Sequence, residues 1–70
     1  MKISARNQLK GTVKSVQVGA VMAEVVVELG NGQQVVSAIT AGSVQDIGLQ
    51  AGDNVVVIIK STEVMIGKNE

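Results

Sequence analysis

Five consecutive β-branched residues, Val55-Val56-Val57-Ile58-Ile59, constrain the fold of this chain more than any other feature. Branching at Cβ disfavours helix and favours the pleated strand. An apolar run without alternation reads as a strand buried on both faces. Yet the whole chain has only 70 residues. A core of that size rarely supplies more than about 3–5 kcal/mol, and small domains add a disulfide, a metal or a partner. Cys and His are both absent, which leaves oligomerisation as the expected reinforcement. The same tendency shows in Val25-Val26-Val27 and Val35-Val36. A second copy of the chain would cover these outer faces; the alternative is a scattered apolar surface, which is common.

Glycine punctuates the apolar segments, as expected for short strands joined by turns. The first strand is expected from Gln8 to Val18, with Leu9, Val13, Val16 and Val18 as its apolar positions. The second runs from Val21 to Leu29. Ala23, Val25, Val27 and Leu29 share one of its faces; Met22, Glu24, Val26 and Glu28 share the other. Gly30-Asn31-Gly32 signals a hairpin, since Asn-Gly readily supplies positive φ. A third strand spans Gln33 to Ile39. Thr40 or Ser43 caps a short helix with Val44 and Ile47 on its apolar side, and Gly48 stops it. After the Ala51-Gly52-Asp53-Asn54 turn come the Val55–Ile59 strand and a last strand from Thr62 to Ile66. The expected fold is all-β: a five-stranded OB-like Greek-key barrel with one short helix between strands 3 and 4, a single domain over residues 1–70.

Composition excludes several functions. Without His or Cys there is no imidazole base, no serine–histidine triad, no cysteine nucleophile and no zinc finger. Glu24 and Glu28 share a strand face but stand about 13 Å apart, too far for an acid–base pair. No catalytic residue, metal ligand set or cofactor is therefore expected. Six cations balance six acids and there are no aromatics, so a nucleic-acid-binding OB module lacks its basic groove and stacking platforms. Residues Met1 to Gly11 contain no apolar run of the kind a signal peptide needs, and no segment is long enough to span a bilayer. The expected location is the cytoplasm.

Three clusters gather hydrogen-bond donors near element ends: Ser4-Ala5-Arg6-Asn7-Gln8, Thr40-Ala41-Gly42-Ser43 and Lys60-Ser61-Thr62. Hydroxyls, cations and the N–H groups of a helix start suit a tetrahedral oxyanion. The same residues also read as an N-terminal arm, a helix cap and a polar strand junction. No acid lies within a cluster, although Glu63 is adjacent to one. That favours a dianion with acceptor oxygens only. Hydrogen phosphate would leave its proton unpaired at a cost of about 1–3 kcal/mol. Sulfate has the same charge and shape, and only cavity size could reject it.

The stretch Ser4-Ala5-Arg6-Asn7-Gln8-Leu9-Lys10-Gly11, followed by Ala38-Ile39-Thr40 with Ser43 and then Lys60-Ser61-Thr62, resembles the Mop domain of the molbindins, within the wider TOBE class. The resemblance covers essentially the whole chain. It implies a non-enzymatic protein that binds molybdate or tungstate as an oxyanion, in a homo-hexamer built as a trimer of dimers. It further implies a site divided between two chains, with Ser4, Arg6, Lys60 and Ser61 joined by Thr40, Ala41, Gly42 and Ser43. No nucleic acid or membrane partner is implied. Without oxyanion binding, the same barrel would be a structural oligomer.

Overall fold

A computed structural model describes residues 1–69. Four strands form one antiparallel sheet: β1 (Asn7–Val18), β2 (Met22–Leu29), β3 (Gln34–Thr40) and β4 (Asn54–Ile59). A helix, α1 (Ala41–Ile47), sits between β3 and β4. The spatial order β3-β2-β1-β4 is that of a Greek key, because the fourth strand returns beside the first.

The long strand β1 organises the sheet. Its first half pairs with β4, from Asn7↔Ile59 to Thr12↔Asn54, and its second half pairs with β2, from Gly11↔Leu29 to Val18↔Ala23. A bulge between Val13 and Ser15 in the β1–β2 ladder adds twist where β1 changes partners. Gly11 pairs on both sides at this crossing. A Cβ there would lie 2.6 Å from Val27 Cγ1 and 2.8 Å from the Glu28 carbonyl oxygen, so the close approach requires glycine.

The period-two reading of β2 holds. Ala23, Val25 and Val27 are buried together with Val13 and Val44. Val16, Leu29, Ile39, Leu49, Val55 and Val57 pack around them. The β2–β3 hairpin uses the expected residues in a different way. Only Gly32 takes positive φ, at 84°. Asn31 contributes through its side chain, its Oδ1 accepting from the Gln33 N–H at 3.0 Å.

Two expectations are corrected and a third is narrowed. The fifth strand, Thr62–Ile66, does not form. A 3₁₀ turn covers Ser61–Glu63, and the residues after it have no ladder partner, leaving Met65 91% and Ile66 89% exposed. Strand propensity alone cannot create a strand that pairs with nothing. Within a single chain the Val55–Ile59 strand buries only one face: Val55, Val57 and Ile59 are half-buried, while Val56 and Ile58 face outward and are exposed, so burial of the second face depends on the expected second copy. On α1, Val44 enters the core but Ile47 is 67% exposed. A single copy of the chain has no second layer to cover any of these groups. No described helix is long and apolar enough to cross a membrane.

Candidate functional site

The β1–β4 register decides where the sequence clusters fall. Asn7 and Ile59 form the last rung of that ladder. Ser4-Ala5-Arg6 leads into this rung, and Lys60-Ser61 leads out of it. Two clusters separated by more than fifty residues of chain therefore meet at one end of the sheet. Ser4, Arg6, Lys60 and Ser61 are all exposed, which leaves two cations and two hydroxyls able to turn toward a ligand.

Each of these segments has its own tether. The Asn7 Nδ2 group donates to the Ile59 carbonyl at 3.2 Å. The Gln8 Nε2 group donates to the Ala5 carbonyl at 2.8 Å. The 3₁₀ turn is closed by the Glu63 N–H, which donates to the Lys60 carbonyl at 2.9 Å. Asn7 and Gln8 lie in the first sequence cluster; the Asn7 bond depends on the pairing register, invisible in sequence, whereas the Gln8 bond is local.

The third cluster lies elsewhere. Thr40 ends β3 opposite Met22, and the next β2 residue, Ala23, pairs with Val18 at the far end of β1. Extended, the 12 residues of β1 cover about 36 Å of strand. No hydrogen bond joins the helix start to the Ser4–Arg6 or Lys60–Ser61 segments among the described residues.

Of the two N-cap candidates in the sequence, Thr40 and Ser43, Thr40 takes the role. Its backbone is extended, at φ −70° and ψ 150°, and its hydroxyl accepts from the Ser43 N–H at 3.0 Å. The Thr40 hydroxyl also donates to Ser43 Oγ at 2.8 Å, so the Ser43 hydroxyl's own proton takes no part in that bond. The Ala41 N–H is engaged by the Val21 carbonyl at 2.7 Å. The Gly42 N–H has no acceptor among the described residues, and a Cβ at Gly42 would meet only Thr40 Oγ1, at 4.0 Å. Gly42 itself is exposed. Gly48 ends the helix in the left-handed region, at φ 72°. One end of the sheet thus carries cations and hydroxyls, and the other carries a capped helix start with the Gly42 N–H and a hydroxyl. Both sets are donors, and neither contains a carboxylate.

A small curled sheet with such donor sets at its ends defines a class. Residues 3–66 match the TOBE domain family, and the chain belongs to that family. Molybdenum-pterin-binding protein 3 of Clostridium pasteurianum is 52% identical over 66 residues, covering 94% of this chain and 97% of that protein. MopII from Clostridium pasteurianum has the same fold, with a TM-score of 0.91 and 45% identity over 96% of this chain and all of that one. The cytoplasmic molybdate-binding protein ModG, solved with molybdate bound, matches 87% of this chain and 43% of its own at 41% identity and a TM-score of 0.83. Likeness over nearly the full length of the Clostridium proteins places the chain among the Mop-type members.

Proposed function

We propose that the protein binds molybdate as an intact oxyanion, and tungstate with it, at the interface between subunits of a homo-hexamer assembled as a trimer of dimers. In this reading residues 1–70 act as one Mop domain that buffers molybdate in the cytoplasm. The observation that carries it is the division of donors. One chain presents Ser4, Arg6, Lys60 and Ser61 at one end of β1, and Thr40, Gly42 and Ser43 at the other. Each end is half of a tetrahedral site, and the two ends of neighbouring chains complete each other.

The chemistry fits an anion with acceptor oxygens only. Arg6 and Lys60 offset its charge through charge-assisted hydrogen bonds. The Ser4, Ser61 and Ser43 hydroxyls and the Gly42 N–H satisfy the remaining lone pairs. Thr40 holds the helix start in place, with Ala41 anchored beside it on Val21. The molybdate bound in ModG and the names of the Clostridium proteins support the choice of ligand. The description of ModG as cytoplasmic supports the location. The exposed Val56, Ile58 and Ile47 support assembly, because they line one concavity and a contiguous apolar patch marks an interaction surface.

Calorimetric titration with sodium molybdate, repeated in excess sulfate and phosphate, tests the reading. Tight binding that survives both competitors is expected. Sedimentation should report six copies, and saturating molybdate should raise the melting temperature, since a ligand that binds only the assembled form stabilises it by mass action. Absence of heat would leave a structural oligomer; an affinity for oligonucleotides that falls steeply with salt would point to nucleic acid instead.

A further inference from the structure

We propose that Asn7 and Gln8 are positioning residues for oxyanion binding: their side-chain amides hold the two donor segments at the β1–β4 end of the sheet in place before the anion arrives. The inference rests on the molybdate-binding reading above.

Past the Asn7↔Ile59 rung the ladder stops, and the two chain segments leave the sheet. Nothing in the sheet itself then sets the spacing between Ser4–Arg6 and Lys60–Ser61. The Asn7 amide adds a bond at that last rung, and the Gln8 amide reaches past it to Ala5. The residue that Gln8 holds, Ala5, lies between Ser4 and Arg6. The residue that Asn7 holds, Ile59, immediately precedes Lys60. Each bond thus fixes a backbone carbonyl next to a donor side chain without using that side chain.

The other side-chain hydrogen bonds among the described residues have local explanations. Asn31 with Gln33 closes the hairpin, Thr40 with Ser43 caps the helix, and Asp53 with Gln50 closes a turn. The Asn7–Ile59 bond links positions 52 residues apart, in a rung already paired by the strands. The Gln8–Ala5 bond is exposed and ties down three residues of an arm outside the sheet. Arg6 and Lys60 have long, mobile side chains, and a fixed backbone origin reduces what must be ordered on binding. Asn7 is half-buried and Gln8 exposed, so neither amide is needed to fill the core.

The test uses the assembled full chain, sodium molybdate as the ligand, and two near-isosteric changes that remove the donors, Asn7→Leu and Gln8→Met. Each should weaken molybdate binding about tenfold, with the melting temperature and sedimentation of the ligand-free protein unchanged. Double variants separate positioning from bulk stability. Asn7→Leu added to Lys60→Ala, and Gln8→Met added to Arg6→Ala, should cost little beyond the cation change alone, because the amide acts through the segment that carries the cation. Additive losses would overturn the proposal. So would wild-type affinity in both single variants while Arg6→Ala binds weakly. Failure of Asn7→Leu to fold or assemble would assign its bond to stability and overturn its positioning role. A wild-type protein that does not bind molybdate would remove the functional reading itself, and this inference with it.

Discussion

Replacing Gly11 with alanine should be the most damaging methyl group that can be added to this chain. The new Cβ would stand 2.6 Å from Val27 Cγ1, 2.8 Å from the Glu28 carbonyl oxygen and 3.3 Å from Leu29 Cδ2. The two nearest of these neighbours do not move easily. Val27 is buried and β-branched, and the Glu28 carbonyl belongs to the residue that pairs with Thr12. Gly11 cannot retreat, because it is paired with Leu29 on one side and Val55 on the other. Overpacking of this kind costs about 1–3 kcal/mol. The entropy that alanine removes from the unfolded chain returns only about 0.4–1 kcal/mol of this. The midpoints leave a net loss of about 1.3 kcal/mol, which in a domain of this size lowers the melting temperature by about 5–10 °C. Thermal unfolding followed by circular dichroism measures it, at matched protein concentration because the midpoint of an assembling chain depends on concentration. Gly30→Ala is the control: no atom lies within 4 Å of its added Cβ, and its φ is not positive, so its melting temperature should not fall. A Gly11→Ala protein that melts within about 2 °C of wild type would refute the packing argument at the β1 crossing.

Two further outcomes test the site and its frame. Arg6→Ala and Lys60→Ala should each weaken molybdate binding by about tenfold or more while leaving the ligand-free fold intact, because each removes a charge-assisted donor; unchanged calorimetric affinity in both would clear these cations of the role. Thr40→Ala removes the cap on Ser43 N–H and should destabilise the protein by about 1 kcal/mol in chemical denaturation, while Thr40→Ser should restore most of it.

Local chemistry was legible in the residues themselves. The alternation of β2 placed Ala23, Val25 and Val27 inward because side chains on a strand change face at every step. Thr40 and Gly48 bounded the helix because a hydroxyl satisfies an N-terminal N–H and glycine tolerates left-handed backbone. The three donor clusters were likewise visible as short runs, since each lies within a few consecutive residues. What those residues could not express was partnership. Val64, Met65 and Ile66 have the composition of a strand, but a strand needs a neighbour, and in this chain they have none. The alternate side chains of Val55–Ile59 face outward because a single sheet has only one inside.

The sequence by itself determined the type and order of the elements from β1 to β4 and the donor chemistry, all of which follow from interactions spanning a few residues. Tertiary structure alone decided which donors meet. The double pairing of β1, the glycine its crossing demands, and the tether from Asn7 to a carbonyl 52 residues away depend on strand register. Register is settled by the whole sheet burying one face at once, so no local stretch of sequence carries it.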